Sequence, residues 1–99
     1  MVPIGKLTFE IAIPQAQSLK DRRQVVLSLK DKLRHRFNLS VSELDGGVIW
    51  NRATVGIVCI SGSNSYLTGL LEEIDSAAHR ILVNLGAELQ DSYAEVIAE

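Results

Sequence analysis

Residues 6–44 read KLTFEIAIPQAQSLKDRRQVVLSLKDKLRHRFNLSVSEL, and the hydrophobic period changes twice within them. In KLTFEIAIP (6–14), Leu7, Phe9, Ile11 and Ile13 alternate with Lys6, Thr8, Glu10 and Ala12. A period of two marks a strand with one buried face, and Pro14, which cannot donate to a ladder, ends it. From Ser18 the period is helical, with Leu19, Val26, Leu29, Leu33 and Phe37 on one stripe. The Ser18 hydroxyl can accept from the free amides of a helix start, and Asp21 stands three residues on, in the capping-box place. A helix is expected over 19–37, with Asn38 as its stop because Asn tolerates the left-handed cap. LSVSEL (39–44) then returns to alternation as a short second strand.

Working onward, Asp45, Gly46 and Gly47 supply turn chemistry, and ATVGIVCIS (53–61) is continuously apolar. Such a run reads as buried on both faces and belongs in the middle of a sheet. GSNS (62–65) punctuates it and offers caps. Leu67, Leu70, Leu71, Ile74, Ala78, Ile81, Leu82 and Leu85 mark a second amphipathic helix, stopped by Gly86. Residues 88–98 read as a last strand, though Asp91 and Glu95 interrupt the apolar set Leu89, Tyr93 and Ile97. The order strand, helix, strand, strand, helix, strand predicts a ferredoxin-like α+β fold, βαββαβ. Two helices cover one face of a four-stranded antiparallel sheet whose first and third strands are central. With 99 residues, 46% of them apolar, the chain is expected to form a single domain over 1–99.

The sequence carries no GxxxxGK[ST], GxGxxG, HExxH, CxxC or GxSxG. The expectation is a protein that is not an enzyme and uses no cofactor. His35 and His79 project away from the apolar stripes of their helices, which predicts solvent exposure and no metal site. Cys59, the only cysteine, lies in an apolar strand and reads as core packing. Glu10 is expected to pair with a cation on a neighbouring strand or a partner chain. The opening MVPIGKLTFE lacks the pattern of a signal peptide, and no run approaches the roughly 18 apolar residues that span a bilayer. Together with the lone cysteine this predicts a cytoplasmic protein.

Charge is the functional handle. Residues 18–37 hold seven of the ten Lys and Arg residues against Asp21 and Asp31, while the remainder holds three cations against ten acids. Counted at 100° per residue, Arg23, Lys30 and Arg34 fall in a sector of about 40°, with Lys20 just beyond. At 1.5 Å rise, Lys20 to Arg34 spans roughly 21 Å, comparable to several phosphate repeats of a nucleic acid. Arg22 points nearer the core and must snorkel or pair with an acid. Three readings of the stripe compete: a polyanion site, a solvated helix face, or a surface paired with acids of a partner subunit.

For RNA, the open-face residues of the first strand and both sets of the third lack aromatics, which disfavours base stacking on the sheet. Contact through the helix remains, assisted by Trp50 and Arg52 of VIWNRA; Trp50 reads either as a lid on one end of the core or as a stacking residue. The nucleic-acid-binding residues are therefore expected to be Lys20, Arg23, Lys30, Arg34, Trp50 and Arg52. If the third strand is apolar on both sides, the face away from the helices exposes an apolar patch around Ala12 and residues 54–60. That patch predicts a homodimer or higher assembly through the open sheet face.

The stretch SLKDRRQVVLSLKDKLRHRFNLSVSELD, followed by WNRATVG, resembles the signature of the YlxP-like family of small bacterial proteins, a domain of unknown function. Members look like Ser-Leu-Lys-x-x-Arg, then Ser-Leu-x-x-x-Leu-Arg-x-Arg-Phe-Asn, then Trp-Gln-Arg-Ala. The match falls on Ser18, Leu19, Lys20, Arg23, Ser28, Leu29, Leu33, Arg34, Arg36, Phe37, Asn38, Glu43, Asp45, Trp50, Arg52, Ala53 and Gly56. Asn51 departs from the family's Gln, and GGVI from its more polar loop. The resemblance implies a ferredoxin-like fold. It also implies a gene often found beside translation-initiation and ribosome-binding-factor genes, which makes ribosomal RNA or the ribosome an expected partner. It implies no reaction.

Overall fold

A computed structural model describes residues 2–98; the two ends of the expected 1–99 domain lie outside them. Its elements run β1 (Pro3–Ala12), α1 (Leu19–Arg36), β2 (Ser40–Glu43), β3 (Arg52–Ile60), α2 (Asn64–Asn84) and β4 (Glu88–Ala98). The sheet order is β2-β3-β1-β4, all neighbours antiparallel, which is the ferredoxin-like arrangement with β1 and β3 central. Both helices lie on one face. Leu7, Phe9, Ile11 and Ile13 turn toward them, as do Ala53, Val55, Ile57 and Cys59, and all are buried. Opposite them sit Val26, Leu29 and Leu33 of α1 and Leu67, Leu71, Ile74 and Leu82 of α2, completing one core. Burial pushes the Cys59 thiol up, so it stays protonated and packs as a small hydrophobe.

Both helix starts follow from serine caps. Ser18 Oγ accepts from the Asp21 amide at 3.2 Å, while the Asp21 carboxylate accepts from the Gln17 amide at 2.9 Å. Ser63 caps α2 through the Tyr66 amide, so α2 begins one turn before the apolar stripe does. Gly86 follows the end of α2 at φ 78°, a left-handed conformation that a side chain would strain. Among the described residues no helix is long and apolar enough to cross a membrane.

Four local expectations change. α1 ends on Phe37 in extended backbone, and among the described residues only glycines have a positive φ, so Asn38 is not a left-handed cap. β3 is central, yet only one of its faces is buried: Val58 and Ile60 on the other are 42% and 66% exposed. β1 begins at Pro3, before the alternation is legible. In β4 a bulge opposite Glu10 and Ile11 leaves Gln90 unpaired and inverts the alternation after it. Leu89 therefore shares the helix-facing side with Ser92, Ala94 and Val96, while Asp91, Tyr93, Glu95 and Ile97 occupy the open face.

Candidate nucleic-acid interface

The site grows from the way α1 lies on the sheet. Arg22, Val26, Leu29 and Leu33 form its buried line, so side chains about 90° round the helix are presented at its flank. On that flank Lys20, Arg23 and Arg34 are exposed and Lys30 is half-buried. Arg34 fixes which flank this is: its guanidinium reaches the Val41 carbonyl of β2 at 3.4 Å, so the stripe runs along the β2 edge of the molecule. Among the described residues no carboxylate lies within ion-pair distance of Lys20, Arg23 or Lys30. Arg34 has one, Asp31, at 3.8 Å, with both side chains about half or more exposed (49% and 75%). A pair of that kind in water is worth about 0–1 kcal/mol.

Arg22 behaves differently. It is 4% exposed and binds two carboxylates at once, Glu43 at 2.5 Å and Asp45 at 2.6 Å. Its Nε donates to the Arg52 carbonyl at 2.9 Å. Burial alone would lower the Arg22 pKa, but the hydrogen bonds and charges of Glu43 and Asp45 outweigh it and raise it. Burial alone would likewise raise Asp45. The Arg22 hydrogen bond, the amides of Thr54 and Gly47 and the Arg22 charge hold its carboxyl below the ordinary value. Gly47 sits at φ 69°, which lets the loop turn back so that its amide reaches Asp45 at 3.2 Å. The expectation that Arg22 pairs with an acid holds, with two acids rather than one.

This knot joins the first turn of α1 to the loop that carries Trp50 and to Arg52 at the start of β3, so the two halves of the expected site meet. A cleft of about 290 Å³ lies at the junction, lined by Leu19, Arg23 and Gly46 as well as by Arg22 and its two acids. Trp50 does not lid the core. It is 50% exposed, it is absent from the core cluster, and Val48 and Ile49 beside it are 75% and 56% exposed. The exposed apolar loop is the feature that sequence reasoning passed over, although GGVI already signalled it. Arg52 opens β3 on the open face and is exposed, with no carboxylate partner among the described residues. Lys30 and Arg34 lie farther along α1, away from that loop, so the six expected residues form a band rather than a pocket.

Elsewhere, Glu10 finds no cation among the described residues. Its carboxylate accepts from the Thr54 hydroxyl at 3.1 Å, because the residue facing it on β3 is Thr54 and on β4 is Asp91. Arg36, on the opposite flank of α1, stacks over the Phe37 ring at 5.2 Å. His35 and His79 are exposed, as their helical positions predict. The open face does carry one aromatic, Tyr93, on the edge strand opposite Thr8.

Residues 4–92 match the family described as Protein of unknown function (DUF503). Over 60 residues the chain is 35% identical to the uncharacterized protein YlxP of Bacillus subtilis, covering 61% of this chain and 65% of that one, just under two thirds of the relative's length. Among solved structures, a C-terminal segment of the alpha subunit of aIF2 from Pyrococcus abyssi is 15% identical, with a TM-score of 0.52 over 99% of this chain and 51% of its own. The Bacillus subtilis YXEP protein, a dinuclear metal binding peptidase from the M20 family, is 14% identical (TM-score 0.63), over 98% of this chain and 26% of its own. A dimeric ferredoxin-like protein of unknown function from Thermobifida fusca is 16% identical (TM-score 0.54), over 99% and 92%. Likenesses at these identities carry the fold alone. The match over residues 4–92 carries the family: the chain is a member of the DUF503 proteins, to which the YlxP-like signature of α1 had pointed.

Proposed function

We propose that the protein is a non-enzymatic, cytoplasmic binding module that attaches to RNA or a ribosomal particle along α1. Lys20, Arg23, Lys30 and Arg34 supply the charges that meet phosphates, with Arg52 and the half-exposed Trp50 at the N-terminal end of the band. One observation carries this reading. In a chain with twelve acids, the α1 cation that the fold uses, Arg22, is saturated, while Lys20, Arg23 and Lys30 on the flank have no carboxylate among the described residues. Cations held in a row on a rigid helix meet a polyanion without first having to break pairs of their own.

Binding of this kind releases counterions, so it weakens as salt rises. Co-sedimentation with ribosomes across a salt series, and fluorescence anisotropy with a single-stranded RNA, both read this dependence. Replacing Arg23, Lys30 and Arg34 together by Gln should lower the slope of log K against log salt by about 2, at roughly 0.7 for each phosphate that is no longer neutralised. Equal binding by wild type and triple variant would remove α1 as the site. A second reading, a self-assembling interaction module without nucleic acid, is favoured by the apolar end of the open sheet face, where Ile4, Ile60 and Ile97 stand side by side. Ribosome binding that is absent at every salt concentration would leave that reading in place.

A further inference from the structure

The two edges of the sheet are not alike. β2 is four residues long, and Arg34 reaches over it to the Val41 carbonyl. β4 is eleven residues long, and among the described residues no strand pairs along its outer edge. Long open edges are normally blunted with lysine, proline or a covering element. β4, ELQDSYAEVIA, has neither Lys nor Pro, and it is irregular only at the bulge near its start.

Beside that edge, between β4 and α2, runs a groove of about 630 Å³. Leu7, Leu71, Ala94 and Val96 make its apolar floor, and Glu72 and Asp75 stand on its α2 side. Asp75 is anchored there by the Ser92 hydroxyl. The Glu95 side chain lies on the other face, where the Lys6 ammonium stands 4.0 Å from it, and among the described residues no Lys, Arg or His lines the groove. The Ser92 amide donates to the Asp91 carboxylate at 3.1 Å. Peptide groups alternate direction along an antiparallel strand, so an outward Ser92 amide places those of Ala94 and Val96 outward too.

We propose that the outer edge of β4 and this groove receive an extended basic polypeptide segment, which joins the sheet as a fifth strand. Main-chain hydrogen bonds to the 92–96 edge hold the segment, and alternate apolar side chains enter the groove. Its remaining side chains are Lys or Arg, facing Asp91 and Glu95 on the open face. Charge complementarity selects this occupant over a second copy of the chain. β4 carries Glu88, Asp91 and Glu95 and no cation, so pairing it with itself would bring acids against acids. The surface lies across the sheet from the α1 band and does not depend on the function proposed for that band.

The probe is an eight-residue acetylated and amidated Val-Lys alternating peptide, titrated into isotope-labelled protein, with a Val-Glu peptide as control. Amide shifts should concentrate at residues 92–96 and on the α2 residues of the groove, and the Val-Glu peptide should bind at least about tenfold more weakly. Ala94→Pro deletes an outward amide that the sheet does not use, so the fold should survive while the Val-Lys affinity drops about tenfold or more. A second variant guards against misfolding by the proline. Reversing the open-face charges with Asp91→Lys and Glu95→Lys should exchange the preference to Val-Glu. Equal binding of both peptides, unchanged affinity in Ala94→Pro, or shifts centred on α1 or the open face would each overturn the proposal. So would a dimer of the free protein that Ala94→Pro dissolves and the peptide cannot displace, because the edge would then belong to a second copy.

Discussion

Arg22 decides how much of the basic helix is structural. Its guanidinium is inside the protein, and removing it leaves Glu43 and Asp45 facing each other with no cation between them. Arg22→Met should therefore cost about 3 kcal/mol, the scale of breaking one side of a buried ion pair, measured by urea unfolding. Arg22→Lys should recover only part of this, because one ammonium cannot span two carboxylates and the Arg52 carbonyl. Acid should act through Asp45. Its carboxyl is held below its ordinary value of 3.8, so the stabilisation is complete above that value and is lost as pH falls through the lower, folded one. Tm of the wild type should thus decline below about pH 4 more steeply than that of Arg22→Met, in which the Arg22 hydrogen bond and charge are gone and only the Thr54 and Gly47 amides still hold the carboxyl down. An equal decline in both proteins would assign the acid limb to other carboxylates. That Arg22 needs an acid was legible in its angle on the helix wheel. That the acids are Glu43 and Asp45 was not, because they arrive from 21 and 23 residues away, by way of a turn whose geometry depends on Gly47.

The helices and the alternating part of β1 were legible because their periods are unbroken. β3 was legible as a strand, but its continuous apolar run concealed that one face stays exposed, and the other misreadings lie where a strand breaks its own rule. β1 starts three residues earlier than its alternation suggests, since Pro3 and Gly5 are poor strand formers and local pattern discounts both. Gly5 is there for packing. A Cβ at this position would stand 3.0 Å from Leu71 Cδ2 and 3.1 Å from Leu67, so the bare backbone is what lets α2 settle on the sheet. Gly5→Val should destabilise by about 2 kcal/mol through overpacking, with Gly5→Ala in between, as read by thermal unfolding. A neutral Gly5→Val would mean that α2 can lift without penalty. β4 misled for a different reason. One extra residue at Gln90 moves every later side chain to the other face, so Leu89, Tyr93 and Ile97 look like one apolar set and are not. The groove beside β4 was hidden by the same bulge, because only after it do Ala94 and Val96 turn inward.

Charge and apolar surface divide the protein into separate sides, and the basic side was visible in the spread of charge along the sequence. The apolar patch, expected around Ala12 and residues 54–60, lies at the other end of the open face from Ala12, which faces Arg52 and Glu88. The α1 flank is basic. The open sheet face is acidic toward one end, with Glu10 and Asp91 opposite each other, and apolar at the other. At the apolar end Ile4 lies between Ile60 and Ile97 in the register, with Val58 close by, and these side chains are 37%, 66%, 42% and 42% exposed in that order. Isoleucine and valine on a strand normally face a core, and here the helices cover only the other side. A second copy placed by a two-fold axis could set this row against its own counterpart, the self-complementary arrangement that most homodimers use. Such an interface rests on apolar burial, so it should form at roughly tens of micromolar and be insensitive to salt, opposite to what is expected of RNA on α1. Ile60→Lys offers the sharpest check, since its side chain already projects into water and the fold should tolerate the change. Sedimentation velocity should show wild type as a dimer and Ile60→Lys as a monomer, with Tm of the variant at high dilution unchanged. A wild-type monomer across the whole concentration range would leave the row uncovered and rule out self-association through this face. A dimer that Ile60→Lys does not touch would place the interface elsewhere, with the β4 edge the next surface to probe through Ala94→Pro.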